Sequence, residues 1–429
     1  MRTVNKLKSF FRGHTLALAA LMFASNLACA KADPPPTIKA SKVASVDVLH
    51  FGDANTLFVG DTQSGSVFAL QIADKAAQEG QFVVYDLDQR IADLLGAKID
   101  HIKITDMVIN PVSNEAYVGV QRGKGTKGEP AIVVVNPKDS SLRLLELDKT
   151  DAVEAKLNAL PDNGAMFQDR AKLRSFSITD IVKHENQIFV SGISSGEFAS
   201  SLYKIPFPFT GKVNKSTVQV YHPVHNQNET RAPIRTMAVV DLDGVPHLVA
   251  SFLCTPLTAI PLTDIKDNQH ITGKTIAELG YGNYPIDLVP FSMNGGSFVM
   301  ISNSHRPGMM INVADIASYS KKPGITTPVD LQKQPLAGVP YNTIPLAGVT
   351  QMDNQGPMYL ALTRRNATTG SLELVSTVKG AFFRVSDMVA EFDFPDYSYP
   401  EDNKVLQGMI KPARTMLLQQ EGLGKFTKE

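Results

Sequence analysis

The chain repeats a short phrase: Ile104-Thr105-Asp106-Met107-Val108 returns further on as Ile178-Thr179-Asp180-Ile181-Val182. Weaker copies are Val46-Asp47-Val48, Arg235-Thr236-Met237-Ala238 and Ile286-Asp287-Leu288-Val289. Each copy opens a block of short segments rich in β-branched and aromatic residues, which is the pattern of β-strands. Because self-similarity at this spacing is typical of sheets repeated around an axis, the sequence predicts an all-β propeller.

The repeat also predicts the number of blades. Six blocks of strand-like segments indicate six four-stranded blades, with residues 82–87 as the fourth strand of the first. Seven blades are the alternative, since residues 386–389 resemble the repeated phrase. We expect short helices on the crossovers between blades, at residues 88–96 and 150–160, because a glycine or proline ends each apolar pattern there.

The N-terminus has the pattern of an export signal. Basic residues precede a short apolar stretch at 16–23, and Ala28-Cys29-Ala30 fits the small-x-small cleavage rule, so we predict a signal peptide at 1–30. No later segment has the run of uncharged apolar residues that a membrane span needs. The sequence therefore predicts a periplasmic or secreted protein, and acylation of Cys29 in a lipoprotein is the alternative.

The rest of the chain divides into three predicted parts. Residues 31–43 are an extended lead-in, residues 44–386 form the propeller, and residues 387–429 are a tail that packs on the propeller rim. The 42 basic residues balance 42 acidic ones, so there is no basic field to attract nucleic acid. Removal of Cys29 with the signal leaves Cys254 as the remaining cysteine, and we expect a monomer without an intramolecular disulfide.

The repeated phrase nominates acidic residues for a metal site. If each phrase starts an innermost strand, Asp47, Asp106, Asp180 and Asp287 occupy equivalent positions around one channel mouth, together with Thr236. In the sixth blade Gly348 is predicted at the equivalent position, so that blade is expected to contribute no carboxylate. Converging carboxylates repel one another unless a cation or hydrogen-bond donors compensate them, so the ring predicts either a hard cation such as calcium or a structural role in turns and blade contacts.

Histidine and cysteine residues are candidates for a second kind of site. His222 and His225 are spaced so that one loop can present two imidazoles to a metal, and Glu229 follows them. Cys254 is predicted either to join His305 and the Met309-Met310 pair in a copper site or to act as a nucleophile. The alternatives are ordinary loop packing for the histidines and burial as a small hydrophobe for the cysteine.

Arginine residues on the same predicted face suggest an anionic ligand. The topology places Arg122, Arg231 and Arg306 on loops around one mouth, with His305 and Cys254 nearby. Guanidinium groups match the geometry of carboxylates and phosphates. Pairing of these arginines with the aspartate ring is an equally open interpretation.

The stretch Asn55-Thr56-Leu57-Phe58-Val59-Gly60-Asp61, followed by Gly65-Ser66-Val67-Phe68-Ala69-Leu70, resembles exported bacterial six-bladed propellers with TolB-like or gluconolactonase-like architecture. This resemblance implies a propeller over most of residues 44–385. It also implies that a divalent cation can bind at the channel mouth. No set of ligand residues matches position by position.

Two functions follow as hypotheses. The first is a binding protein that presents one loop-rich face to a small anionic ligand, a metal ion or another periplasmic protein. The alternative is a metal-dependent hydrolase of an ester or lactone at the channel mouth. The expected cofactor is one divalent metal ion, with calcium, zinc and copper as the candidates, or none.

Overall fold

The computed structural model describes residues 34–123, 128–167, 171–331, 336–380 and 382. Within these ranges the strands form six sheets of four or more strands, arranged as the six blades of a propeller. The predicted all-β, six-bladed fold is therefore confirmed. The predicted signal peptide at 1–30, the phrase at 386–389 and the tail at 387–429 lie outside the described residues.

Blades are numbered by the chain order of their innermost strands, and the strands of each blade are given from the channel outwards. Blade 1 contains Val48–Asp53, Thr56–Asp61, Ser66–Gln71, Asp151–Lys156 and Ile38–Lys39. Blade 2 contains Ile102–Ile109, Ala116–Arg122, Glu129–Val135 and Leu142–Leu144. Blade 3 contains Asp180–His184, Gln187–Ile193, Ser200–Pro206 and Asn214–His222, with Gln227–Glu229 and His270–Gly273 both paired to the last of these.

The other three blades follow the same plan. Blade 4 contains Ile234–Leu242, Val245–Phe252, Pro256–Pro261, Thr275–Glu278 and Ala337–Gly338. Blade 5 contains Pro285–Met293, Gly296–Asn303, Gly308–Asn312 and Asn342–Ile344. Blade 6 contains Val349–Gln355, Tyr359–Arg365, Leu372–Val378 and Val83–Val84. The strands Met166–Phe167 and Ala171–Lys172 form a separate hairpin.

Outer strands of blades 1 and 6 come from parts of the chain that lie outside the other strands of those blades. Val83–Val84 pairs with the third strand of blade 6, so the prediction that it completes blade 1 is wrong. Blade 1 is completed instead by Asp151–Lys156, which pairs with Ser66–Gln71. The predicted helix at 150–160 is therefore also wrong, because strand pairing outweighs the local apolar pattern. The N-terminal part of the chain thus closes the ring by supplying strands to its first and last blades.

The spatial order of the blades differs from their chain order. Adjacent innermost strands show that the ring runs through blades 1, 3, 4, 5, 6 and 2 and returns to blade 1. A cluster of buried apolar residues fills each of the six interfaces. Since every strand alternates its side chains between two faces, each blade contributes one face to each neighbouring cluster. The core is consequently distributed around the ring.

Two α-helices are present in the described residues. Leu87–Leu94 confirms the helix predicted at 88–96, and it links the last strand of blade 6 to the first strand of blade 2. Val313–Ser320 was not predicted; its N-cap is Asn312, whose side chain accepts the Ala314 N–H at 2.9 Å. Short 3-10 helices occur at Ala40–Lys42, Ile99–His101, Leu173–Phe176 and Leu262–Asp264. Neither α-helix of this part of the chain has the length needed to span a membrane.

Candidate functional site

Four aspartates on innermost strands connect neighbouring blades around the channel. Each carboxylate accepts the backbone N–H of the next residue in its own strand and a second N–H from the innermost strand of an adjacent blade. Asp106 accepts from Met107 and Leu49, Asp180 from Ile181 and Met237, Asp287 from Leu288 and Met352, and Asp353 from Asn354 and Ile109, all at 2.6–2.8 Å. These bonds assign a structural role to both oxygens of each carboxylate.

A cavity lies on each side of this ring. One cavity of about 530 Å³ and another of about 550 Å³ are both bordered by Asp106, Asp180 and Asp287. The structure therefore brings three of the four predicted metal-site aspartates together around the channel, between the two cavities. Asp353, which the sequence analysis did not single out, belongs to the same set and borders one of the cavities.

Enclosure changes the acidity of these carboxyl groups. Burial raises the pKa of Asp180 and of Asp353 to about 7 and that of Asp287 to about 6. Burial raises the pKa of Asp106 well above its ordinary value, and the charges of Asp287 and Asp180 add to this. The N–H donors act in the opposite direction but do not outweigh burial.

Asp47 lies apart from this arrangement although it borders one of the cavities. Its carboxylate accepts hydrogen bonds from Ser45 at 2.5 Å and from the hydroxyl of Thr62 at 2.6 Å. It therefore fixes a turn of blade 1, which is the structural alternative stated for these residues. The prediction that Gly348 holds the equivalent position in blade 6 is wrong. After a bulge that follows Val349, Gln351 takes the position that Asp287 holds in blade 5. Gln351 borders the channel.

A second cluster joins blades 3 and 4. His222 ends the fourth strand of blade 3, His225 lies in the following hairpin, and Cys254 lies in the turn between two strands of blade 4. One ligand atom of each residue lies within 4.8 Å of the others. Cys254 has φ of 88°, a conformation that side-chain-bearing residues rarely adopt, so the turn holds this thiol in a constrained position.

Two glutamates flank the buried imidazole of His222. Glu229 Oε1 lies 2.8 Å from His225 Nδ1 and 3.8 Å from His222 Nδ1. On the other side, Glu278 Oε2 lies 3.6 Å from His222 Nε2, and Thr255 Oγ1 lies 3.4 Å from the same nitrogen. The predicted association of both histidines with Glu229 is thus present in the geometry.

Burial dominates the electrostatics of this cluster. It lowers the pKa of His222 to about 4, with the charge of His225 acting in the same direction. The neutral imidazole that results at pH 7 is the form that binds metals. Burial, together with the charges of Glu278 and Glu229, raises the pKa of the Cys254 thiol. Burial also raises the pKa of Glu278.

The remaining predicted ligand-binding residues are dispersed. Arg122 is exposed on blade 2 and pairs with Glu129 at 3.3 Å, and Arg231 is exposed after the last strand of blade 3. His305 is exposed and its Nδ1 lies 2.7 Å from Ser304 Oγ. Arg306 donates to the carbonyl of Tyr281 at 3.2 Å.

The proposed copper partners of Cys254 have other neighbours. Met309 and Met310 are buried in the apolar clusters on the two faces of blade 5. The structure places Cys254 beside His222 and His225 instead. Sequence reasoning named all three of these residues without joining them, and it missed Glu278, which had no signal beyond its place at the end of a weak strand.

Comparison with known proteins adds little to this geometry. No protein-family model matches the chain. A probable cobyric acid synthase from Methanothermobacter thermautotrophicus is 26% identical over 171 residues, which are 39% of this chain and 30% of that protein. The chain thus matches less than a third of the length of this relative.

Solved structures with some similarity include three proteins of 10–12% identity. They are the Bacillus subtilis arabinanase Arb43A (TM-score 0.33; 64% of this chain, 94% of that one), a PQQ-bound aldose sugar dehydrogenase from Streptomyces coelicolor (0.32; 80% and 99%) and Chaetomium thermophilum Raptor (0.33; 81% and 29%). Likenesses at this level carry no argument about activity, so any function has to be inferred from the site.

Proposed function

We propose that this protein is a metal-binding propeller that holds one transition-metal ion between blades 3 and 4, with His222, His225 and Cys254 as ligands. The supporting observation is that their ligand atoms lie within 4.8 Å of one another. Two imidazoles and a thiolate are donors that zinc and copper prefer. Since ligand atoms around tetrahedral zinc are about 3.5 Å apart, a small movement of the half-exposed His225 would close the set.

The proposed activity is binding rather than catalysis. A rigid sheet that carries its ligands on strand ends and turns suits recognition of a metal ion, and of a small molecule or protein that approaches the same face. The hydrolase alternative uses a cation among the channel acids. Both oxygens of Asp106, Asp180 and Asp287 already accept backbone N–H bonds, so no observation favours that alternative.

Elemental analysis tests the proposal. The protein is purified from its native compartment without added metal, and bound calcium, zinc and copper are quantified per chain. We expect about one zinc or copper ion per chain, as for a dedicated site, and we expect His222→Ala and Cys254→Ser each to remove it. His101→Ala, which changes a histidine in the 3-10 helix before blade 2, is the matched control. Metal content that is equal in all four proteins would refute the proposed site.

We also propose that the protein acts in the periplasm or outside the cell, on the strength of the signal-peptide pattern at 1–30. Fractionation of cells that produce the full chain tests this, and mass spectrometry of the mature N-terminus distinguishes cleavage after Ala30 from acylation at Cys29. Retention of the intact N-terminus in the cytoplasmic fraction would refute export.

A further inference from the structure

Glu278 is buried beside the proposed metal site with an unused oxygen. The residue ends the fourth strand of blade 4 and is 1% exposed. Its Oε1 accepts the Gly280 N–H at 3.1 Å, whereas Oε2 has no hydrogen-bond partner among the described residues. This free oxygen lies 3.6 Å from His222 Nε2. A buried carboxylate oxygen without a partner is costly, so its position calls for a cation.

His222 alone does not supply that compensation. A neutral imidazole carries one N–H, while His222 has a carboxylate near each ring nitrogen, Glu229 at Nδ1 and Glu278 at Nε2. Glu229 already has His225 and Gln227 as partners, at 2.8 and 2.9 Å, whereas Glu278 Oε2 has only His222 Nε2, at 3.6 Å, and the Thr255 hydroxyl near it. The guanidinium of Arg306, packed against Gly280, also has an Nε without a partner among the described residues, and its positive charge acts on Glu278 from blade 5.

We propose that Glu278 is the fourth ligand of the metal, and that the complete set of His222, His225, Cys254 and Glu278 selects zinc(II) over copper(I). This inference rests on the proposed function. One thiolate and one carboxylate carry two negative charges, which a divalent ion neutralises and a monovalent ion does not. Carboxylate oxygen is also a harder donor than copper(I) prefers, whereas zinc accepts nitrogen, sulfur and oxygen together.

A four-ligand set also gives the metal a structural role. Two of the ligands belong to the fourth strand of blade 3 and its hairpin, and the other two belong to blade 4. The outer strands of these blades already meet where the Thr275 hydroxyl donates to the Tyr221 carbonyl at 2.5 Å. A zinc ion bound by all four residues would fasten the two blades at the rim, as closed four-coordinate zinc sites do elsewhere.

The test measures zinc affinity by competition with a chromophoric chelator and follows the visible spectrum of the cobalt(II)-substituted protein. The proteins compared are the wild type, Glu278→Gln and His222→Ala. Glu373→Gln is the control, since it changes a buried glutamate on blade 6, which adjoins neither blade 3 nor blade 4. Changes to outer partners of metal ligands weaken binding about 10- to 100-fold, so we expect Glu278→Gln to weaken zinc binding by about 100-fold or more.

We further expect Glu278→Gln to change the intensity of the cobalt d–d bands and to reduce the preference for zinc(II) over copper(I). If Glu278→Gln does not fold, Glu278→Asp, which withdraws the carboxylate by one methylene, replaces it with the same expectation. Unchanged zinc affinity and an unchanged cobalt spectrum, with binding still lost in His222→Ala, would overturn the role of Glu278 and leave the proposed function intact. Binding that survives His222→Ala would overturn both.

Discussion

The exchange of Asp180 for asparagine distinguishes a structural aspartate ring from a cation site in the channel. Asp180 accepts the N–H of Ile181 at 2.7 Å and that of Met237, on the next blade, at 2.6 Å. An asparagine side chain has one acceptor and one donor group in place of two acceptors, so one buried N–H loses its partner. We expect this to lower the free energy of unfolding by about 1–3 kcal/mol at pH 5.

The pH dependence of this loss follows from the raised pKa. Burial raises the pKa of Asp180 from 3.8 to about 7, so between these values the folded protein holds a proton that the unfolded chain has released. Stability from this group is therefore complete below about pH 4 and is lost as the pH rises through 7. From pH 5 to pH 8 the wild type should lose about 2–3 kcal/mol that Asp180→Asn does not lose. Partial exposure to the channel makes this an upper value.

Urea unfolding at pH 5, 6, 7 and 8 measures the effect, with both proteins in the His222→Ala background so that metal at the rim does not contribute. Circular dichroism is the suitable probe because the chain has no tryptophan. The stability difference between wild type and Asp180→Asn should shrink as the pH rises, while the exposed control Asp148→Asn follows the wild type. A difference that widens with pH would mean that the ionised carboxylate is stabilised at neutral pH, as a cation ligand is, and would refute this reasoning.

Three further outcomes are expected. Cys254 should react with iodoacetamide more slowly in the folded apo-protein at pH 7 than in urea, because burial and nearby glutamates raise the pKa of its thiol, and bound metal should slow it further. Val84→Ala should cost about 2 kcal/mol in urea unfolding and more than Val83→Ala, since Val84 is fully buried where it closes blade 6. Gly192→Ala should cost about 3 kcal/mol, because its Cβ would meet the Ser177 backbone, and more than Gly164→Ala, where nothing lies within 4 Å of the added Cβ. Equal costs within either pair would contradict these contacts.

The inner strands were predictable because one local signal recurs in them. An alternating apolar pattern with Asp at a fixed place can be recognised within one strand, without information about neighbouring blades. Asp106, Asp180 and Asp287, which this pattern identified, do lie together on the channel. The sixth inner strand could not be aligned in this way, because the bulge that precedes the aspartate in blades 2 and 5 precedes Gln351 in blade 6, where the acidic residue of the phrase is missing. Bulges have no fixed sequence signal, so a repeat can be found and still be aligned wrongly.

The outer strands were predicted wrongly for a different reason. In Asp151–Lys156 the buried residues Ala152 and Ala155 are three apart, which is a helical spacing, and only pairing with Ser66–Gln71 makes the segment a strand. The strand that closes blade 6 is two residues long, too short for any periodicity. The association of His222 with Cys254 also depends on how blade 3 meets blade 4, and this is information that neither sequence segment contains by itself.

The connections between blades separate the structural part of the molecule from the part available for binding. Side chains on the inner strands accept N–H groups across five of the six interfaces: Asp106 from blade 1, His50 from blade 3, Asp180 from blade 4, Asp287 from blade 6 and Asp353 from blade 2. Blade 4 has Thr236 where blades 2, 3 and 5 have an aspartate, so it offers no carboxylate to blade 5. The interface between blades 4 and 5 is filled by the largest of the six apolar clusters, which includes residues of the helix Val313–Ser320. At these five interfaces the channel-side acceptors thus have their partners within the fold. At the rim between blades 3 and 4, in contrast, the ligand atoms of His222, His225 and Cys254 lie within 4.8 Å of one another, which is why we place the function there. The Glu278 oxygen beside them has no hydrogen-bond partner among the described residues.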